Sequence, residues 1–566
     1  MGDQRGRVVR WSVAVVVAAL LLANFATVGE AKTPKGKVEP ALLSQAQNNP
    51  KQSFDVIVRA TQSKDKKSHA SKRASDAIKS STDGKVGHGL SIVGGVSATL
   101  SGTAIVDLAK HKDIAYISRD LVLKAHFDPL AAASALTSPG LSEIGVTDAW
   151  TKSGVTGRGV GVAVIDSGIA DHPDLAGRIV AAVDFTTGTV GDTLTGHSDP
   201  GGHGTHVAGL IGGDGTASAG AYTGVAPGAN LIDVRVIGAT GTTTVSTVLR
   251  GMQWVIANRS TYNIRVANLS LGATEQASYT ANPLATGVEM LTFAGITVVV
   301  AAGNGGPAAG TITTPGDDPF VITVGAIDDN GTTDPSDDLL TSWSSQGATL
   351  FDGLAKPDLA APGRKMVSLR AAGSTLDTLY PDRQVSGTDP LVPAYFRLSG
   401  TSMSAPVIAG TVALMLEKNP SLRPAQIKHR LRTTATPVSY GSPLSTGAGV
   451  VNVAAAVAAA DPASDFSSLP VSDGFATATY AYLYGQTLSW RDLTFNGGVD
   501  TAGTPWANVD WTNIQWNDVT WQDMYWESMN WQAIAWQDLA WEDAYWETST
   551  LNVNTLGSRG GWVLVK

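Results

Sequence analysis

Gly400-Thr401-Ser402-Met403-Ser404-Ala405-Pro406 is followed at once by an apolar run up to Leu416, and the spacing of that run predicts a buried helix. Gly400 lets the backbone approach a ligand without a Cβ, and we expect Pro406 in the first helical turn, where its missing N–H is tolerated. Ser402 would then lie at a helix N-terminus, among free N–H groups, as a nucleophile whose product carries an oxyanion. For this stretch alone, a helix-capping serine is the alternative.

Three further polar residues stand where predicted strands end or helices begin. Asp166 follows the apolar strand 161–165, Asn304 follows the strand 296–301, and His203 precedes a predicted helix over 207–211. Each has an alternative as a turn or capping residue. Because sites in parallel α/β folds form at the carboxyl ends of strands, we expect all three to share one crevice with Ser402.

Apolar strands and helices alternate from about residue 140 to 455. The further strands are predicted at 231–237, 266–271 and 321–324, and the further helices at 245–257, 404–416 and 424–432. Continuously apolar strands with crossover helices predict an α/β fold, a mostly parallel sheet with helices on both faces.

Four blocks resemble the signatures of the subtilisin-like serine proteases (subtilases): Val164–Gly168, Gly202–Gly209, Ala302–Asn304 and Gly400–Pro406. Their order, Asp, His and Ser, is that family's order. Ser404 is a small departure, because an alanine is commoner there. The resemblance covers about 145–455 and implies a subtilisin-like fold with a peptide-bond hydrolase activity that needs no cofactor.

The resemblance also implies roles for individual residues. Ser402 would be the nucleophile, His203 its base and Asp166 the group that orients the imidazole, while the Asn304 amide would bind the oxyanion. Two stretches would hold an extended peptide substrate from opposite sides: Ser270-Leu271-Gly272 and Ala301-Ala302-Gly303. Pro315 matches a family proline that is often cis, and we interpret His206 as structural.

Residues 1–31 are predicted to be a secretory signal peptide. Arg5, Arg7 and Arg10 precede an apolar run over 11–25, and small residues lie at −3 and −1 of a cut after Ala31. A membrane anchor is the alternative, but the run is shorter than the ~20 residues that span a bilayer. We therefore expect a secreted, extracellular protein, and the lack of cysteine excludes disulfides and thiol catalysis.

Residues 32–126 form a basic unit of net charge +8 ahead of a body, 127–566, of net charge −18. Strands at 54–59, 96–100 and 114–117 with helices at 64–80 and 104–110 predict a small two-helix α+β unit. It resembles, more weakly, the inhibitory prodomain of subtilases. We expect it to dock by charge and to be removed by self-cleavage within 126–140, leaving a catalytic domain at 127–462. The overall net charge of −9 argues against nucleic acid as a partner.

Structural Ca²⁺ is possible, as in many subtilases. Five aspartates crowd one loop: Asp328, Asp329, Asp334, Asp337 and Asp338. Oxygen ligands suit Ca²⁺, but the spacing fits no ligand template, and a solvated acidic loop is the favoured interpretation.

The C-terminal extension, 463–566, contains a tryptophan every five residues from Trp506 to Trp546. This period suits neither a helix nor a strand. A pentapeptide-repeat solenoid, a β-rich appendage and a stacking surface for glycans or a cell surface are the open interpretations. The main hypothesis is a secreted serine endopeptidase, self-processed from a precursor, that acts on proteins and peptides. The alternative is a surface-binding or adhesion protein that uses the repeat and retains the protease core as a scaffold.

Overall fold

The structure, a computed structural model, describes residues 36–61, 70–126, 140–187, 192–193, 197–460 and 472. The predicted signal peptide, the stretch 127–139 and the tryptophan repeat lie outside these residues. Within the described ranges, no helix has the length and apolar character needed to cross a membrane.

The N-terminal unit is a four-stranded antiparallel sheet with helices packed on it. Its strands are β1 (Ser53–Ala60), β2 (Lys85–Leu90), β3 (Gly95–Ser101) and β4 (Ile114–Arg119), in the order β2-β3-β1-β4. Its helices are α1 (Pro40–Asn48), α2 (Ala70–Ser81) and α3 (Gly102–Leu108). The prediction of two helices was wrong, because α1 is a third helix. Strand β2 was also missed, because its glycines and exposed residues carry no strand pattern. The chain then continues into β5 (Val122–Ala125).

The main sheet is mostly parallel, as the sequence predicts. Its strands are β6 (Gly161–Asp166), β7 (Ile179–Asp184), β8 (Asp192–Thr193), β9 (Asn230–Arg235), β11 (Ile264–Leu269), β13 (Thr297–Ala301), β15 (Ile322–Asp328), β16 (Leu339–Leu340) and β17 (Leu359–Pro362). They follow the order β16-β15-β13-β11-β6-β9-β7-β8, with β17 beside β15. The edge strands β8 and β16 pair antiparallel, and the remaining pairs are parallel.

Helices cover both faces of this sheet. On β6, Ala163 and Ile165 face one apolar cluster, while Val162 and Val164 face the other, so the strand is buried on both sides. One face carries α7 (Val245–Asn258) and α8 (Pro283–Phe293), and the other carries α6 (His203–Gly212) and α10 (Thr401–Lys418). The remaining helices are α4 (Gly140–Glu143), α5 (Val146–Ser153), α9 (Thr375–Leu379), α11 (Pro424–Thr434) and α12 (Val453–Ala458).

Two small sheets complete the fold. One contains β18 (Met366–Leu369), β19 (Gln384–Ser386) and β20 (Pro393–Leu398), and its Ser368 hydroxyl donates to the backbone carbonyl of His206 in α6 at 2.8 Å. The other contains β10 (Thr242–Thr244), β12 (Leu271–Thr274) and β14 (Thr313–Thr314) together with β5, in the order β10-β5-β12-β14. The strand that leaves the N-terminal unit is therefore an inner strand of a sheet that the main domain builds.

The N-terminal unit docks on the main domain through apolar contacts and hydrogen bonds. Ile92 lies in the same apolar cluster as residues of α7 and α8, and its N–H donates to Gln253 Oε1 at 3.0 Å. Asp120 accepts hydrogen bonds from the N–H and hydroxyl of Ser246 at 2.8 and 2.6 Å. The steering of this docking by the opposite charges of the two units stays a prediction.

The acidic loop is only partly solvated: Asp334 is exposed, but the interpretation was wrong for three of its five aspartates. Asp328, Asp329 and Asp338 are buried. Asp328 forms an ion pair with Arg364, and Asp338 accepts a hydrogen bond from the Tyr440 hydroxyl at 3.3 Å. These partners lie far along the chain, which spacing within the loop cannot reveal. In the described part of the chain, no group of three or more His, Asp or Glu side chains is arranged to hold a metal ion.

Candidate active site

Asp166 and His203 meet where β6 ends and α6 begins. His203 Nδ1 lies 2.8 Å from Asp166 Oδ1, and both side chains are buried. Burial alone would lower the pKa of His203, but the charge and hydrogen bond of Asp166 outweigh it and raise this pKa. With its Nδ1 proton held by Asp166, the neutral ring keeps its lone pair on Nε2, which is the arrangement of a general base.

Asp199 was missed by the sequence analysis, and it joins the loops that carry Asp166 and His203. One carboxylate oxygen accepts from the Ser167 hydroxyl at 2.8 Å and from the Gly202 N–H at 2.7 Å. The other accepts from the N–H and hydroxyl of Thr205, both at 2.8 Å. Its position four residues before His203 was the one available signal, and spacing alone does not distinguish it from a turn aspartate.

Ser402 is the second residue of α10, and its hydroxyl donates to the carbonyl of Ser270 at 3.0 Å. Pro406 lies inside this helix rather than in its first turn, which corrects the prediction. Because Pro406 has no N–H, the carbonyl of Ser402 lacks its usual helical partner. The Ser270 hydroxyl donates to that carbonyl instead, at 3.0 Å.

Asn304 lies beside the start of α10 with a defined amide orientation. Its Oδ1 accepts from the Thr401 N–H at 3.0 Å and from the Thr401 hydroxyl at 2.9 Å. The opposite end of the amide, Nδ2, is buried and has no hydrogen-bond partner among the described residues. A buried donor without a partner is rare and points to a group that binds transiently.

The chain's own β5 occupies the groove beside Ser402. It pairs antiparallel with β12, with Leu271 opposite Ala125 and Gly272 opposite Lys124, and it pairs with β10 on its other edge. The next residue, His126, donates its N–H to the Ser270 carbonyl at 3.3 Å and to the Ser402 hydroxyl oxygen at 3.1 Å. The N–H of Ser402 donates to the His126 carbonyl at 3.3 Å. The strand predicted to pair with substrate therefore pairs with residues 124–126 of this chain.

The imidazole of His126 enters a pocket between Gly272 and Thr313, a residue that the sequence analysis missed. His126 Nε2 lies 3.2 Å from the Thr313 hydroxyl oxygen, and a Cβ added to Gly272 would lie 2.6 Å from Nε2. Burial, and then the nearby His203 ring, lower the pKa of His126 to about 4. His126 thus contacts Ser402 and senses the charge of His203, so one crevice contains both.

The second predicted binding stretch, Ala301-Ala302-Gly303, lies behind this pocket. The Ala302 carbonyl accepts from the Thr313 N–H at 3.0 Å, and the Gly303 N–H donates to the Thr401 hydroxyl at 3.1 Å. The Thr314–Pro315 peptide bond is cis, as predicted. His206 Nε2 lies 3.1 and 3.0 Å from the carbonyls of Met366 and Phe396, which agrees with a structural role.

These features define a class of site at the edge of a parallel α/β sheet: a serine at a helix N-terminus, whose N–H donates to a peptide carbonyl, a buried Asp–His pair and a buried Asn amide at the start of the same helix. That is the constellation of a serine hydrolase. The profile of the subtilase family (peptidase S8) matches residues 157–467, more than half of the chain. The chain therefore belongs to the subtilase family of serine endopeptidases.

Similar proteins agree with this assignment. Serine protease AprX of Bacillus subtilis (strain 168) is 41% identical over 307 residues, which is 53% of this chain and 66% of AprX. Subtilisin Savinase of Lederbergia lenta is 37% identical over 54% of this chain and 92% of its own length. The structure of fervidolysin from Fervidobacterium pennivorans, a keratinolytic enzyme related to subtilisin, has the same fold, with a TM-score of 0.54 at 23% identity, over 74% of this chain and 62% of fervidolysin.

Proposed function

We propose that this chain is a secreted serine endopeptidase made as a precursor, and that it first cleaves its own peptide bond between His126 and Phe127. One observation carries this proposal. The His126 carbonyl accepts the N–H of Ser402, while the strand leading to it pairs with β12 in the manner of an extended substrate.

Each group in the crevice has a role in this reaction. Ser402 Oγ attacks the carbonyl carbon of His126, and the hydroxyl must first turn from the Ser270 carbonyl so that its proton passes to His203 Nε2. Asp166 holds the tautomer and stabilises the imidazolium that forms. The N–H of Ser402 and the amide of Asn304 stabilise the oxyanion. His203 then protonates the leaving amine of Phe127, and water hydrolyses the acyl-enzyme.

Residues 32–126 would act as the inhibitory prodomain of this enzyme. β5 pairs along both of its edges with strands of the main domain, and the side chain of its Leu123 is fully buried. The docked unit also buries Ile92 against α7 and α8, so after cleavage its affinity does not depend on the broken bond. Protein substrates enter the same groove only when this unit leaves.

Secretion is supported by the pattern of residues 1–31, a basic start followed by a short apolar run and small residues. The lack of cysteine is compatible with an oxidising compartment, because no thiol needs protection there.

The test compares the full chain with a Ser402→Ala variant, each purified unfolded and refolded alone. The parent should yield a new N-terminus at Phe127, hydrolyse casein and bind a fluorophosphonate at Ser402, while Ser402→Ala should remain a precursor. Ser404→Ala is the matched control, because Ser404 is a buried serine of the same helix that donates to the Ala361 carbonyl at 3.1 Å. A purified Ser402→Ala protein that still processes itself would contradict the proposal.

A further inference from the structure

The pocket that receives the side chain of residue 126 has an unusual polar end. The Thr313 hydroxyl lies at that end, is nearly buried, and stands 3.2 Å from His126 Nε2. On the opposite wall, Gly272 leaves no room for a Cβ, which would meet Nε2 at 2.6 Å and the Thr313 hydroxyl at 2.8 Å. The imidazole is thus held in a narrow space between a glycine backbone and a hydroxyl group.

The Thr313 hydroxyl has two hydrogen-bond partners. It lies 3.2 Å from the Ala302 carbonyl, and when it donates there its oxygen accepts from the Nε2–H tautomer of His126. The Ala302 carbonyl also accepts from the Thr313 N–H at 3.0 Å and stays satisfied without the hydroxyl. With its proton on the Ala302 carbonyl, the hydroxyl oxygen is available to accept from a donor that the substrate side chain brings.

The pocket does not favour a positive charge. Its nearest walls, Gly272, Thr313 and Ser402, carry no charge, and within the described ranges the titratable group that acts on the His126 ring is His203. Burial and the His203 ring both oppose an imidazolium at this position. Asp166 is engaged on the far side of His203, through Nδ1, so it offers no compensation to the pocket.

We propose that this pocket selects substrates with a neutral side chain that donates a hydrogen bond before the cut, histidine in particular, and that Thr313 determines this selectivity. The inference rests on the proposed function, since it names the substrate class of the same site. A leucine of similar size fills the pocket but leaves the hydroxyl oxygen without a donor, and a buried polar group without a partner is disfavoured.

The first experiment uses processed enzyme and three p-nitroanilides of the sequence Leu-Val-Leu-Lys-Ala-X, with X being His, Gln or Leu. At pH 8, kcat/KM for His should exceed that for Leu by about three- to tenfold. The His-to-Leu ratio should fall about tenfold per pH unit below roughly 6.5, where the free peptide becomes protonated. The Gln-to-Leu ratio should not change with pH, and the titration of His203 cancels in both ratios.

The second experiment changes Thr313. Thr313→Val removes the hydroxyl at nearly constant shape and should bring the His-to-Leu ratio at pH 8 to about one, whereas Thr313→Ser should keep it. A parent ratio of one or below, or a ratio that Thr313→Val leaves unaltered, overturns this inference while peptide hydrolysis upholds the proposed function. Failure to hydrolyse any of the three peptides, with no self-processing, overturns both.

Discussion

Two buried carboxylates of this protein, Asp166 and Asp358, each face basic side chains, but they differ in what remains unpaired around them. Asp358 lies 2.8 Å from the Lys356 ammonium and 2.9 Å from the Lys428 ammonium, and it also accepts from the Thr323 N–H. Asp166 binds His203 through Oδ1, while its Oδ2 has no hydrogen-bond partner among the described residues.

The difference separates a structural cluster from a reactive one. Lys428 also donates to the carbonyls of Pro319 and Val321, both at 2.7 Å, so its three N–H donors each have an acceptor. Burial opposes the charge of Asp358, but the two ammonium groups outweigh it and lower the pKa of Asp358 to about 2. In the crevice, Asp166 Oδ2 and Asn304 Nδ2 stay unpaired within the described chain. The crevice thus keeps unpaired polar atoms where charge has to appear during a reaction, whereas both oxygens of Asp358 have partners.

The largest effect is expected from Asp166→Asn. An amide cannot hold the same imidazole tautomer or stabilise the imidazolium, so self-processing of the refolded precursor should slow by on the order of 10⁴. The rate of appearance of the Phe127 N-terminus measures it. Asp358→Asn is the matched control: it should lower thermal stability yet slow processing of the folded protein less than tenfold. Equal slowing in both variants would erase the distinction between the two carboxylates.

Lys428→Met tests the structural cluster and should destabilise the protein by about 3 kcal/mol. The variant leaves Asp358 with a single ammonium partner and removes the donor from two buried carbonyls. Calorimetry in a Ser402→Ala background, where self-digestion is absent, should show Tm lower by several degrees. Lys418→Met, at an exposed residue of the same main domain, should change stability by less than about 0.5 kcal/mol. A parent-like Tm for Lys428→Met would show that the cluster is replaceable.

The pH dependence of hydrolysis should reveal the raised pKa of His203. The base must be neutral, so raising its pKa above 6.5 shifts the acid limb of kcat/KM upward, with about a tenfold loss per pH unit below it. Release of the prodomain weakens the burial that opposes this shift, so the pKa of His203 stays raised in the processed enzyme. Asp199→Asn should move the limb to lower pH, because Asp199 also raises this pKa. A substrate with leucine before the cut has no titrating side chain there, so the profile reports on the enzyme alone. An acid limb of kcat/KM centred below pH 6.5 would contradict the raised pKa of His203.

The smallest effect is expected from Glu143→Gln, which extends the comparison to a partly buried carboxylate outside the crevice. Burial, and then Asp338, raise the pKa of Glu143 to about 8. The unfolded chain loses this proton near 4.3, so the free energy of unfolding decreases as pH rises from about 4.3 to 8. Glu143→Gln removes that dependence and should stabilise the protein by roughly 1 kcal/mol at pH 8 and much less at pH 5, since the group is partly solvated. Asp148→Asn, at an exposed acid, is the control, and a pH-independent difference would refute the interpretation.

Much of this architecture could be predicted from the sequence, for identifiable reasons. The five apolar strands of the parallel sheet are buried on both faces, so their pattern is continuous and strong. The residues of the crevice stand at strand ends and helix starts, which motif and topology both indicate. The stretch Ser270-Leu271-Gly272 was predicted to pair with a peptide, and in the structure Leu271 and Gly272 pair with residues 124–125.

The contributions that were missed depend on contacts between distant segments. Thr313 follows a loop without any pattern, and it reaches His126 because β14 pairs with β12. Lys356 and Lys428 resemble ordinary surface lysines in sequence, yet both are buried around Asp358. The acidic loop appeared solvated for the same reason, since Arg364 and Tyr440 become its neighbours only in the folded chain.

Pro406 has a consequence for how reactant and catalyst are aligned. By withholding one donor from α10, it frees the carbonyl of Ser402 for the hydroxyl of Ser270, whose own carbonyl receives the N–H of the incoming peptide at 3.3 Å. Ser270 therefore contacts both reacting partners, the nucleophile Ser402 and the peptide that it attacks. A displacement of Ser270 moves both partners together. The distance between Ser402 Oγ and the carbonyl carbon of the peptide is therefore little affected by small distortions elsewhere in the protein.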